Sequence, residues 1–262
     1  SMKNSEHNEH MRFFSSELGS FYGTYTFGYC NYGQLEAGDT LSDMYARGYL
    51  PYSGSPESKG LFYMARSGRI YLPEFELNSE CRRVVKKFDG KFSRKTIPLH
   101  EFDITEEFIN FWLGYFQRSH GASVLPRARF MHWLNCGILS HIGVYSDEDK
   151  KVAAYTLEVS DAEMTHYWYS SYIADLDKQS FGTWLLIDIG RVAKERGAKY
   201  YYPGTVYGGA TDYKTNLPNL EYWNGESWLK DMNNKRLRSL THTDSERQIT
   251  LMDEWKENHL LF

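Results

Sequence analysis

Thr165-His166-Tyr167-Trp168-Tyr169-Ser170-Ser171-Tyr172-Ile173 is a strand-like run that stops at Asp175-Leu176-Asp177-Lys178-Gln179-Ser180-Phe181-Gly182-Thr183 and becomes a helix. A second strand, Ala198-Lys199-Tyr200-Tyr201-Tyr202, then ends in a polar, glycine-bearing loop running into Asp212-Tyr213-Lys214. The first amides of a helix have no partner within it, so a helix opening beside strand ends offers donors to an anion or to the oxygen of a tetrahedral intermediate. Chemistry is expected at this turn.

Working outward, Lys151 to Val159 reads as a strand after the Asp147-Glu148-Asp149 turn, pairing with the 165–173 strand across Ser160-Asp161. The helix from Phe181 to Glu195 and the strand at 198–203 complete a β-β-α-β series within a mixed α/β (α+β) fold. Thr105 opens a longer helix with Glu106 and Glu107 in its first turn. Phe108, Phe111, Trp112, Tyr115 and Phe116 then follow helical spacing, and Gly121 closes it. A short helix lies between Asp39 and Gly48, with Thr40 placed to cap it. Leu61–Met64 and Arg69–Leu77 read as strands joined by a Ser67-Gly68 turn, and Ser245 to about His259 as a final amphipathic helix.

A chain of 262 residues is near the size at which a single core stops growing, so two intimate domains are expected. The division is placed at 12–100 for an N-terminal mixed domain, 101–235 for the catalytic domain and 236–262 for a helical extension. Ser1-Met2 reads as an expression remnant, and residues 1–11 as an unstructured start. No apolar run is of membrane-spanning length and no signal region is present, which points to a cytoplasmic protein with no membrane partner. Cys30, Cys81 and Cys136 are odd in number and lack metal-type spacing. The nine histidines contain no H-E-x-x-H, so neither a disulfide scaffold nor a metal site is expected.

A net charge of −4 argues against a protein that coats nucleic acid but leaves room for a local basic face. One such face is legible: in the helix expected to be capped by Ser79, Arg82, Arg83, Lys86 and Lys87 gather on one side, opposite Cys81, Val84, Val85 and Phe88. Lys91, Arg94 and Lys95 extend the positive field. The face is either a solvated helix surface or a phosphate-binding one.

Gln179-Ser180-Phe181-Gly182-Thr183 partly matches Q-x-x-G-x-G/A, the pyrophosphate loop of CoA-dependent N-acetyltransferases. Trp184 stands where a small residue would let pyrophosphate approach the backbone. The alternative is an ordinary helix entry in which Gly182 serves close packing. Ser180-Phe181-Gly182-Thr183, the helix after it, Tyr200-Tyr201-Tyr202-Pro203-Gly204, and Asp212-Tyr213-Lys214-Thr215-Asn216-Leu217-Pro218 resemble the carboxy-terminal signature of the arginyl-tRNA-protein transferases. Leu41–Gly54, Ser79–Phe92 and Phe111–His120 resemble further pieces of that family's pattern, in the same order. Three features depart from it. Phe27-Gly28-Tyr29-Cys30 carries one cysteine where the family has a pair, Met64 to Arg69 supplies none of the family's further cysteine pair, and Asp212 replaces the basic or methionine residue before Tyr-Lys.

The resemblance implies an acetyltransferase-like (GNAT) fold, with a smaller related N-terminal domain, that moves an aminoacyl group from charged tRNA to the α-amine of a protein. Arginine is the family's usual donor residue, and leucine serves a close subfamily. The family's cysteines are implicated in binding a metal or cluster; a lone Cys30 cannot hold one, so no metal is expected here, and no cofactor beyond the aminoacyl-tRNA co-substrate is implied. Carried onto this chain, Tyr213 and Lys214 become catalytic, with Tyr213 donating to the leaving ribose oxygen and Lys214 holding a phosphate or an acidic acceptor group. Gln179, Ser180, Gly182, Thr183, Tyr202 and Tyr207 become substrate-binding, and Arg82, Arg83, Lys86 and Lys87 contact tRNA phosphates. Two competing readings stand beside this one: a CoA-dependent N-acyltransferase using acetyl-CoA, and a non-catalytic binder of protein amino termini.

Overall fold

The computed structural model describes residues 11–15, 31–53, 60–121, 124–206, 209–230 and 234–240. The first strands are β1 (Arg12–Ser15) and β2 (Asn31–Gln34), followed by helix α1 (Leu41–Ala46), β3 (Tyr49–Pro51) and β4 (Leu61–Met64). They form an antiparallel sheet in the order β1-β2-β4-β3. Thr40 caps α1 by accepting from the Asp43 amide at 3.2 Å, as its sequence predicts.

The chain changes sheet at Ala65-Arg66. From there run β5 (Ser67–Tyr71), α2 (Ser79–Phe88), β6 (Ser93–Pro98), α3 (Glu106–His120), α4 (Arg127–Asn135), β7 (His141–Ser146), β8 (Val152–Ser160), β9 (Met164–Tyr172), α5 (Phe181–Glu195), β10 (Tyr200–Thr205), β11 (Leu220–Trp223) and β12 (Trp228–Leu229). These strands make a second sheet ordered β12-β11-β5-β10-β9-β8-β7-β6. Its neighbours are antiparallel except β9 and β10, the parallel pair that α5 connects. Both β5 and β6 therefore lie in the larger sheet, although the sequence places a domain boundary near residue 100. Among the described residues, no helix is long and apolar enough to cross a membrane.

Two expected local features differ. Ser67 and Gly68 are not a turn but the start of β5, paired with Thr205 and Gly204 of β10. A Cβ on Gly68 would lie 3.0 Å from Leu220 and 3.1 Å from Val206, so the glycine answers close approach within the sheet. The cap of α2 is Asn78 rather than Ser79, its side chain accepting from the Cys81 amide at 2.9 Å. The helix expected at 245–259 lies outside the described residues.

Helices α2 and α5 bury their apolar stripes against one face of the larger sheet, where Val84, Phe88, Leu185 and Ile189 meet Tyr145, Ala154 and Tyr201. Helices α3 and α4 cover the other face, Phe108, Trp112 and Phe130 packing on Ile142 and Leu157. A third cluster, with Met44, Tyr45 and Phe62 against Val159, Met164, Tyr202 and Trp223, joins the two sheets.

Pairing between β9 and β10 ends at His166 opposite Tyr202. The next residue, Pro203, has no amide hydrogen to continue a ladder. Beyond it β9 stays with β8 as far as Tyr172, while β10 stays with β5 as far as Thr205. The two strands part, and the wedge between them opens toward the start of α5.

Candidate active site

Several elements close on this wedge. A register shift between Leu157 and Glu158 leaves Trp168 as an extra residue in β9, the kind of bulge that re-aims side chains next to a site. On one side lies a cavity of about 790 Å³ walled by Tyr115 and Arg118 of α3, Tyr167 to Ser170 of β9, Ser180 to Thr183 at the start of α5, and Thr205, Tyr213 and Lys214. On the other side lies a smaller cavity of about 250 Å³ walled by Leu50 to Ser53, Tyr63, Arg129, His166 to Tyr169, Gly204, Thr205 and Lys214. The two share Tyr167, Trp168, Tyr169, Thr205 and Lys214. The larger cavity falls in the volume range of small-molecule sites, and the smaller one just below it.

Lys214 is 7% exposed, and its Nζ donates to the Thr205 carbonyl oxygen at 3.2 Å. Burial lowers its pKa to about 7, so near neutrality a large fraction of it is the free amine. The free amine can accept a proton, a capacity beyond the anion-holding role read from sequence. Tyr213 shares a hydrogen bond with Tyr167, whose hydroxyl also meets Ser170 Oγ. Burial raises the pKa of both tyrosines, so each keeps its proton and can donate it.

The first turn of α5 lines the larger cavity through Ser180, Gly182 and Thr183. Ser180 sits in the left-handed region (φ 64°), and Trp184 N is bonded to its carbonyl at 3.1 Å, leaving the amides before it without an intrahelical partner. The loop before the helix is clamped. Arg118 donates to Asp177 Oδ2 at 2.7 Å and to Tyr172 O at 2.8 Å, and Lys87 Nζ donates to Gln179 O at 3.0 Å.

Other expected residues fall elsewhere. Gln179 is not among the cavity walls, because its carboxamide turns back onto the Asp175 carbonyl. Tyr202 is 1% exposed and lines neither cavity; as the last residue of β10 paired with β9 it packs against Tyr45 and Trp228. Tyr207 and Cys30 lie outside the described residues. Arg82, Arg83, Lys86 and Lys87 are exposed on α2, but Arg83 is paired with Glu80 at 2.7 Å and Arg82 donates to Leu77 O at 2.6 Å. Arg94 leaves the positive surface altogether, since it forms a buried pair with Glu158. Trp184 turns into the core beside Phe88 and Phe181, with Nε1 donating to Asp89 at 2.8 Å, so its bulk does not obstruct the helix start.

His166 was not marked by the sequence. It is 2% exposed, lines the smaller cavity and lies beside Lys214. Burial, followed by the charge of Lys214, pushes its pKa well down. Its one sequence-level signal is a lone imidazole in an aromatic strand, just before the run Tyr167-Trp168-Tyr169.

Residues 80–215, more than half of the chain, match the family described as acetyltransferase (GNAT) domain, a span reaching from α2 through Lys214. No curated protein matches the chain in sequence. Among solved structures it is similar to one described as L-PGS from Bacillus licheniformis (12% identity, TM-score 0.41, covering 53% of this chain and 44% of that one). It is similar also to the C-terminal domain of a protein described as a lysylphosphatidylglycerol synthetase from Agrobacterium fabrum (13%, 0.41, 54% and 46%). A third is FemX (11%, 0.40, 66% and 62%). The chain thus spans less than half the length of the first two.

Proposed function

The chain belongs to the acetyltransferase (GNAT) family, and on that premise we propose that it is an aminoacyltransferase that moves an amino acid, arginine or leucine, from charged tRNA to the α-amine of a protein. The observation that carries this reading is the meeting of two cavities at Lys214. One has the room and the helix amides for an activated acyl group; the other is a smaller space for an amine. The motifs shared with the arginyl-tRNA-protein transferases, Tyr213-Lys214 above all, supply the donor class.

In this reading the aminoacyl ester lies in the larger cavity and the acceptor amine enters through the smaller. The amine nitrogen attacks the ester carbonyl carbon, and the carbonyl electron pair moves onto oxygen. Lys214 Nζ takes a proton from the attacking nitrogen. Collapse of the intermediate breaks the carbon–oxygen ester bond, and the leaving ribose oxygen receives a proton from Tyr213, which is replenished from Lys214. The ester is already activated, and an α-amine with a pKa of about 7.7–8.0 is partly neutral at pH 7, so no protein nucleophile is required. Alignment of two bound reactants supplies about 7–11 kcal/mol, which makes positioning the main task.

The test is incubation of the protein with labelled arginyl-tRNA or leucyl-tRNA and peptides beginning with Asp, Glu or Ala. Label appearing at the peptide amino terminus supports the proposal. Label that stays on tRNA with every donor and acceptor removes it.

A second reading, CoA-dependent N-acylation, gains from the inward turn of Trp184, which leaves the start of α5 clear for a pyrophosphate. Acetyl-CoA as the parallel donor separates the two.

A further inference from the structure

The hydroxyl of Tyr45, on α1, lies 2.5 Å from Nδ1 of His166, on β9. Tyr45 is fully buried, and among the described residues the imidazole is the hydrogen-bond partner of its hydroxyl. A buried phenol keeps its proton and must donate it, and here the recipient is Nδ1. The neutral ring then carries its own proton on Nε2. Burial keeps the ring neutral, so Nε2 is a fixed donor. Among the described residues Nε2–H has no acceptor, although the side chain is 2% exposed and borders the smaller cavity.

Gly204 borders the smaller cavity, and a side chain there would crowd its neighbours. The point where a Cβ would stand there is 3.5 Å from His166 Nε2, 3.3 Å from Lys214 Nζ and 3.5 Å from the Tyr167 carbonyl oxygen. A proton acceptor and a proton donor therefore flank one small volume. The terminal residue of a peptide presents the matching pair, an α-amine and a carbonyl oxygen about 3 Å from it by ordinary backbone dimensions. A lysine side chain presents only an amine.

We propose that His166 is a specificity-determining residue whose Nε2–H donates to the carbonyl oxygen of the acceptor's terminal residue, so that the smaller cavity selects an amine flanked by a carbonyl group. Tyr45 is the positioning residue that fixes the imidazole tautomer. The inference rests on the reading that the acceptor amine reaches Lys214 from this side. A site built to hydrogen-bond a substrate group rejects an analogue lacking it, because the buried donor is left unpaired.

The experiment compares a dipeptide amide with the same molecule whose first carbonyl is reduced to methylene, at equal concentrations of neutral amine, with the aminoacyl-tRNA donor saturating. The unaltered enzyme is expected to show kcat/KM at least about tenfold higher for the carbonyl-bearing acceptor, the difference residing in KM. His166→Phe should bring the ratio close to one, His166→Gln should restore part of it, and Tyr45→Phe should fall between. A purely structural role would lower transfer to both acceptors alike and leave the ratio standing, which overturns the proposal. Equal kcat/KM for the two acceptors in the unaltered enzyme overturns it without any variant having to fold, and leaves the transferase reading intact. Transfer to neither acceptor defeats both. Nitrogen-15 NMR of the imidazoles gives an independent check: a proton found on Nδ1 of His166 rules out the tautomer on which the selection depends.

Discussion

Arg94 on β6 and Glu158 on β8 form a two-pronged ion pair, NH1 to Oε2 at 2.8 Å and NH2 to Oε1 at 2.9 Å, across the intervening strand β7. The crossing point is Gly143, where a Cβ would lie 2.4 Å from Arg94 NH1 and 2.9 Å from Glu158 Oε2. The pair continues through Tyr145 to Asp188 of α5, and His141 adds a bond to Glu158 at 3.0 Å. It thereby ties the outer strands to the helix whose first turn lines the larger cavity.

Glu158 is 1% exposed, and burial alone would raise its pKa; the charge of Arg94 and the bonds from His141 and Arg94 outweigh that and hold it at about 2. A carboxylate depressed in this way stabilises the fold above its unfolded pKa of about 4.3, and that contribution is lost as pH falls toward 2. Glu158→Gln leaves Arg94 buried without its counter-charge and should cost about 3–5 kcal/mol at pH 7. Urea unfolding at pH 7 and pH 3 measures it. The deficit should shrink at the lower pH, and a midpoint at pH 7 equal to that of the unaltered protein refutes the assignment.

Lys214 gives two linked expectations. If its free amine accepts the proton, kcat should rise with pH through about 7 and level off above it, and Lys214→Ala should lower kcat by about 10²–10⁴. Stability should rise with pH as well, over a higher window. Between pH 7 and an unfolded value near 10.4 the unfolded chain binds a proton that the folded one does not, so stability rises with pH over that window. Lys214→Met has no such desolvated amine and should melt higher at pH 7, by about 2–4 °C per kcal/mol recovered. A melting temperature below that of the unaltered protein, or a pH profile flat from 6 to 8, counts against the lysine.

The parts of this site that are legible in sequence are those with a local signal. Helix α5 follows from apolar spacing, and Lys214 stands in a motif that packing does not demand. Strand β6 is a charged edge, Ser-Arg-Lys-Thr, whose side chains carry no apolar two-residue alternation, and α4 opens at Pro126 with no side-chain cap. Arg94 reads as surface charge because its partner is 64 residues away, and His166 reads as one aromatic among many because Tyr45 is 121 residues away. Tyr202 reads as a site residue through its motif, but it stands one position before the proline at which the strands separate. Pairings of this range exist only in the folded chain.

For tRNA, the four cations of α2 are not expected to contribute equally. Arg83 already faces Glu80, whereas Lys87 reaches the loop at the cavity mouth through Gln179 O. Lys87→Ala should weaken tRNA binding more than Arg83→Ala. Each true phosphate contact removed should flatten the plot of log K against log salt by about 0.7–0.9. Filter binding from 50 to 200 mM salt tests the order. Four equal effects would indicate a diffuse field, and no effect would take α2 out of the interface.

Gly182 separates packing from function most directly. A Cβ there would meet only Tyr172, its hydroxyl at 3.4 Å, an ordinary contact, so the close packing of helix on sheet does not demand glycine. The residue is helical with negative φ, and alanine is the better helix former by about 1 kcal/mol in a helix interior. Gly182→Ala should therefore leave the melting temperature unchanged or slightly higher. The added methyl nevertheless stands in the first turn that lines the larger cavity, where a donor must approach the free amides. We expect KM for the donor to rise several-fold while KM for the acceptor stays put. A destabilised variant with normal donor KM would return Gly182 to a packing role and take the start of α5 out of the donor site.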